Sequence, residues 1–121
     1  MATILVVDDS PTEVYVIKSL LEKHGHTVHT AADGAQGVEG ARRLHPDVIL
    51  MDVVMPVLNG FQATRQLSKD EETASIPVIM VTTKSQETDK NWGLRQGAKE
   101  YVVKPVNHHE LLTKIGTVLG D

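Results

Sequence analysis

The chain has 121 residues, 40% of them hydrophobic, a formal net charge of −4 and no cysteine. That length suits one domain with a real core, and the composition excludes a disulfide framework and a thiolate metal site. Twelve lysines and arginines spread along an acidic chain without a cluster do not make an electrostatic nucleic-acid binder.

The N-terminal stretch MATILVVDDS meets two acids after a short apolar run, too early for a secretory signal. No run approaches the roughly 18 apolar residues of a membrane span. A cytoplasmic protein without membrane insertion is expected, with residues 1–121 forming a single domain.

In chain order, the first strand is predicted at Ile4–Val7. Ser10-Pro11-Thr12-Glu13 then reads as a capping box with proline at the first helical position. Val14, Ile17, Leu20 and Leu21 follow at helical intervals, and Gly25 stands where that helix ends. A second strand is predicted at Thr27–Thr30, followed by another cap spacing in Asp33-Gly34-Ala35-Gln36. Val48–Met51 and Val78–Val81 give the third and fourth strands, Gly97 a helix end, and Tyr101–Val103 the fifth strand. Asn107-His108-His109-Glu110 caps a last helix carrying Leu111, Leu112, Ile115, Val118 and Leu119. The first, third and fourth strands are nearly continuous aliphatic runs, as expected of strands covered on both faces of a parallel sheet. The reading is an α/β chain: a (βα)₅ doubly wound, five-stranded parallel sheet with right-handed crossovers and helices on both faces.

Such sheets place ligands beyond the carboxyl ends of their strands, where the strand order reverses. Asp8 and Asp9 follow the first strand, Asp52 ends the third, Thr82 and Thr83 end the fourth, and Lys104 follows the fifth. With the order 2-1-3-4-5 these strands are neighbours about 4.8 Å apart, so three carboxylates, a hydroxyl and an ammonium converge on one rim. Two unit charges 4 Å apart interact by roughly 1 kcal/mol in water and about 4 kcal/mol at an effective dielectric of 20. The cluster therefore calls for a cation. Oxygen ligands without histidine or cysteine favour a hard ion, and Mg²⁺ commonly takes one or two carboxylates alongside water and phosphate oxygens. A carboxylate nucleophile, a metal, a lysine and a hydroxyl suit phosphoryl transfer.

The acid pair in VVDDS, the acid in LMDVVMP with Gly60 four residues after Pro56, the threonine of IMVTTK and the KP of YVVKP occur together over the whole chain. In that set the sequence resembles the response-regulator receiver domains of the CheY type, with their flavodoxin-like fold. DDSPTE, NGFQATRQL and TTKSQETDKNWGLRQGAKEY further resemble regulators of type IV pilus twitching motility. The resemblance implies that Asp52 is the phosphoacceptor. It implies that Asp9 and Asp52 coordinate Mg²⁺ with the backbone carbonyl of Val54, while Asp8 holds a metal-bound water. Lys104 would pair with Asp52 and then with its phosphoryl group, and Thr82 would move towards that group. Tyr101 would turn inward with Thr82, and the Lys104–Pro105 bond would be cis. The implied partners are a sensor histidine kinase or its phosphohistidine domain, and a downstream protein contacting the fourth helix, fifth strand and fifth helix. A monomer with no output domain and no nucleic acid is expected. The positions two beyond Asp52 and two beyond Thr82, often polar at the first, are Val54 and Lys84, so the lifetime of a phosphorylated state stays open.

Three alternatives share these residues. A phosphate-sink receiver would drain a kinase without instructing an effector. An aspartate-nucleophile phosphatase would want a second acid where Val54 stands. A flavin binder of this topology would need a phosphate loop where Asp8 and Asp9 repel anions. Elsewhere, Trp92 is as suited to core packing as to a partner contact, the six histidines read as exposed positions, and Asp70, Glu71 and Glu72 read as a solvated loop.

Overall fold

Five strand-like runs become five parallel strands, and the cap-initiated segments between them become helices. The computed structural model describes residues 1–120. It contains β1 (Thr3–Val7), α1 (Pro11–Lys23), β2 (Thr27–Ala31), α2 (Gly34–Leu44), β3 (Val48–Met51), α3 (Gly60–Lys69), β4 (Val78–Thr82), α4 (Glu87–Gln96), β5 (Glu100–Val103) and α5 (His108–Leu119). The strand order is β2-β1-β3-β4-β5, all parallel, as expected from the sequence. Thr3, Ala31, Thr82 and Glu100 join the predicted strands because each pairs in a ladder, which hydrophobic pattern alone does not reveal.

Strand side chains alternate between faces and so feed two cores. Ile4, Val6, Leu50, Ile79, Val81 and Val102 pack with Ile17 and Leu21 of α1 and with Leu111 and Ile115 of α5. Leu5, Val7, Ile49, Met51, Met80 and Tyr101 pack on the opposite face with Val38 and Ala41 of α2 and Ala63 and Leu67 of α3. Burial of each large aliphatic side chain is worth about 1.5–3 kcal/mol, so these layers dominate the stability. The α4 helix buries only Gly93 and Gln96, which makes it the helix least committed to the core.

The helix starts differ from expectation in their details. Ser10 accepts from the Glu13 N–H at 3.4 Å, but the reciprocal half of a capping box is missing: the Ser10 N–H donates to Asp8 at 2.9 Å, and the Glu13 carboxylate turns to Lys104. A charged partner outcompetes a backbone amide for that carboxylate. Gln36 reaches back to the Ala32 N–H rather than to Asp33, and Glu110 lies 3.5 Å from Lys114. A reciprocal box forms instead at Asn59 and Gln62, opening α3. Gly25 and Gly97 follow their helices with positive φ, as expected.

The β3–α3 loop is pinned close to the strand end. A Cβ on Gly60 would lie 2.0 Å from the Asp52 carbonyl oxygen, so only glycine lets α3 start there. Within this loop Val57 has φ of 70°, and the Leu58 N–H donates to the Pro56 carbonyl at 2.8 Å across it. That is a γ-turn centred on an exposed β-branched residue, a strained arrangement. Val57→Asn, which tolerates positive φ without loosening the unfolded chain as glycine would, is expected to raise stability by about 1 kcal/mol in denaturant melts.

Candidate functional site

The sheet's own ladder carries each functional residue to the rim. The Asp52 N–H donates to Val7 of β1 at 2.9 Å, the Asp8 N–H to Ala31 of β2 at 3.0 Å, and the Lys104 N–H to Thr82 of β4 at 2.8 Å. Side chains on four adjacent strand ends are thereby fixed by backbone bonds. Asp8, Asp9 and Asp52 present carboxylate oxygens that all lie within 4.8 Å of one another, the arrangement expected from the sequence.

Lys104 Nζ lies 2.8 Å from Asp8 and 3.3 Å from Asp52. A third carboxylate, Glu13 of α1, lies 3.1 Å from the same nitrogen. The sequence spacing marks Glu13 as a capping residue and by itself gives no sign of this contact. The available signal was its place in the first turn of α1: helical side chains lean towards the N-terminus, and this N-terminus points at the rim. Both Asp8 oxygens have a partner, one taking the Ser10 N–H and the other Lys104. Asp52 takes the Val53 N–H at 2.7 Å on one oxygen and Lys104 on the other. Asp9 is exposed. Val54, two residues beyond Asp52 in the loop, is also exposed.

Burial pushes the Asp52 carboxyl above its ordinary pKa. Lys104, the Val53 N–H and the Thr82 hydroxyl oppose that shift without cancelling it, while Asp8 adds to it. Burial alone would push Lys104 down, but the hydrogen bond to Asp8 and the charges of Asp52, Asp8 and Glu13 outweigh it, so its ammonium is held above its ordinary value. The site is therefore a crowded set of acids held together by one cation, with oxygen-only donors that fit a hard divalent ion.

Thr82 is fully buried at the end of β4, and its hydroxyl accepts from the Lys84 N–H at 3.3 Å. The Lys84 carbonyl in turn accepts from the Tyr101 phenol at 2.8 Å. One residue thus joins the two side chains expected to move together. The Tyr101 ring is buried, and Gly93 of α4 leaves it room: a Cβ there would come within 3.2 Å of the ring. The Lys104–Pro105 bond is cis.

Burial holds the Tyr101 phenol up to about 12, with Asp89 and Asp52 adding to the shift. An unfolded phenol ionises at about 10. Since the folded state binds that proton more tightly, its contribution to stability is intact below the unfolded value and is lost as pH rises towards about 12. In a Tyr15→Phe background, where Tyr101 is the one remaining tyrosine, tyrosinate absorbance is expected to rise with a midpoint near 12. A midpoint of about 10 would place the ring in water.

The residues outside the cluster sort out more simply. Trp92 is half-exposed on α4 and so is not a core residue. Asp70, expected in a solvated loop, pairs with Arg42 at 2.8 Å because it ends α3 beside α2. His24 sits 3.0 Å from the Leu20 carbonyl, and His26 takes the Ala2 N–H. Among the described residues, Asp8, Asp9 and Asp52 are the one group placed to hold a metal ion, and no helix is long and apolar enough to cross a membrane.

Comparison with known proteins places this geometry. Protein PilH of Pseudomonas aeruginosa is 64% identical over 120 residues, covering 99% of both chains. The receiver domain of a sensor histidine kinase from the same species, solved with a magnesium ion coordinated in its active site cleft, superimposes with a TM-score of 0.92. It is 35% identical and covers 99% of this chain and 98% of its own. Vibrio cholerae chemotaxis protein CheY4 superimposes with a TM-score of 0.91 at 35% identity, over 98% of each chain. The response regulator receiver domain family matches residues 4–116. A CheY-like sheet whose acids and lysine meet at one rim, matched along nearly its whole length, makes this chain a member of the response regulator receiver domain family.

Proposed function

We propose that the chain accepts a phosphoryl group on Asp52 from the phosphohistidine of a sensor kinase and passes the signal to a partner protein. The observation that carries this reading is the convergence of Asp8, Asp9 and Asp52 with Lys104 Nζ 2.8 Å from Asp8 and 3.3 Å from Asp52. In the transfer an Asp52 carboxylate oxygen forms a bond to phosphorus, the P–N bond breaks, and the histidine nitrogen leaves with the electron pair. Lys104 offsets charge on the transferring oxygens, and the Thr82 hydroxyl can donate to them. Asp9 and Asp52, with the Val54 carbonyl, would hold Mg²⁺, and Asp8, already committed to Ser10 and Lys104, would act through a bound water. Magnesium there supplies Lewis-acid neutralisation of the phosphoryl oxygens.

The signal then leaves through Lys84. A phosphoryl group adds about −1.5 to −2 charge and strong acceptor oxygens. When the Thr82 hydroxyl turns to it, the Lys84 N–H loses its acceptor, and the same residue's carbonyl carries the Tyr101 phenol. The loop between β4 and α4 and the α4-β5-α5 face are thereby biased together. Each new charge-assisted bond is worth about 1.5–3 kcal/mol, so two or three supply about 3–9 kcal/mol, a range that spans the roughly 5.5 kcal/mol needed to move a population from 1:99 to 99:1. The 64% identity to PilH supports a role in control of type IV pilus twitching motility. We read the chain as a monomeric regulator in the cytoplasm.

Titration with beryllofluoride, a phosphoryl mimic, tests the reading through Trp92 fluorescence. A saturable change that requires Mg²⁺ and Asp52 is expected. No change in the wild-type chain at saturating Mg²⁺ and mimic would overturn it.

A further inference from the structure

We propose that Glu13 competes with a phosphoryl group on Asp52 for the Lys104 ammonium, and so sets how readily this site holds phosphorus. The proposal rests on the phosphoacceptor reading above and adds a positioning residue to it. An ammonium has three N–H donors. Three carboxylates surround it: Asp8 at 2.8 Å and Asp52 at 3.3 Å accept hydrogen bonds, and Glu13 forms an ion pair at 3.1 Å. Asp52 is the most distant of the three. Lys104 is thus drawn away from the phosphoacceptor by two tethers on α1 and its preceding loop.

A phosphoryl group projects beyond the carboxylate that bears it and offers three acceptor oxygens at nearly twice the charge. To follow it, the ammonium must loosen one tether. Asp8 is a poor one to release: its side chain is 4% exposed and its other oxygen is held by the Ser10 N–H. The Glu13 side chain is 45% exposed, so water replaces the lost bond at little cost. Glu13 is therefore the partner that yields. It also adds a negative charge beside an incoming anion, and that repulsion acts in the same direction as its hold on Lys104.

The test is equilibrium binding of beryllofluoride at saturating Mg²⁺ to the wild-type chain, Glu13→Gln, Glu13→Asp and Asp52→Asn. Glu13→Gln is expected to bind about 3–10-fold more tightly than wild type. Glu13→Asp, which keeps the charge but withdraws the oxygen by one methylene, should fall between them. Affinity for Mg²⁺ alone should move the other way, because one carboxylate's field is gone. A loss of structure would weaken both ligands together, so the opposed shifts separate positioning from packing. A Glu13→Gln chain binding the mimic no more tightly than wild type would overturn the proposal while leaving the phosphoacceptor reading intact. A Glu13→Asp chain identical to wild type would assign the effect to charge alone and overturn the competition. Failure of the wild-type chain to bind at all would overturn both.

Discussion

An Asp52→Asn chain is expected to lose its response to a phosphoryl donor completely and yet to melt a few degrees above the wild type. Asparagine keeps the shape and can still accept the Val53 N–H, which lies 2.7 Å from the aspartate oxygen. It also removes a carboxylate whose charged form is penalised by burial and by Asp8. Lys104 keeps Asp8 and Glu13 as partners, so no cation is orphaned. The gain should be about 1 kcal/mol, a few degrees in a chain of this size. The raised Asp52 pKa means that in the wild type this penalty grows as pH rises through the carboxylate range, because the folded state binds the proton more tightly than the unfolded one. The stability difference between variant and wild type should accordingly widen above that range and close below it. Paired thermal melts from acid to neutral pH check this. A variant less stable than wild type at neutral pH would show that Asp52 is held by favourable contacts rather than tolerated.

Lys104→Met should have the opposite sign and a larger size. It leaves Asp8, Asp52 and Glu13 facing one another without the ammonium they share. Removing one partner of a buried ion pair costs about 3–5 kcal/mol; since this cleft opens to solvent on the Glu13 side, about 2 kcal/mol is expected. Part of the loss should return on lowering the pH, as freed carboxylates take up protons, and part on adding Mg²⁺, which binds only the folded chain. The beryllofluoride response should be lost even where stability is restored. Denaturant melts with and without Mg²⁺ measure the first effect. A variant as stable as wild type without Mg²⁺ would mean that the ammonium does not hold the acids together.

The sequence made the sheet legible because nearly continuous aliphatic runs such as Val48–Met51 separate cleanly from capped amphipathic segments, and the crossover rule then limits the topology. The rim was legible because Asp8, Asp52, Thr82 and Lys104 each sit at a strand end, where parallel pairing leaves no choice of position. What the sequence hid depends on competition between partners. Glu13 has the spacing of a capping residue, and only the closeness of Lys104 decides that its carboxylate goes there. The link through Lys84 uses backbone groups, which any residue would supply, so no side-chain pattern announces it. The inward Tyr101 ring depends on the absence of a side chain at Gly93, eight residues earlier and on another element. Asp70 looked solvated because its partner, Arg42, is remote in sequence.

The claim on which the rest stands is that phosphorus is taken up at one carboxylate of the acidic rim. Reductive trapping reads it directly: the chain is treated with acetyl phosphate and Mg²⁺, reduced with borohydride, and mapped by peptide mass spectrometry. Homoserine at position 52 alone is the predicted result. Homoserine at Asp8 or Asp9, or an unmodified chain with Mg²⁺ and donor in excess, would contradict it.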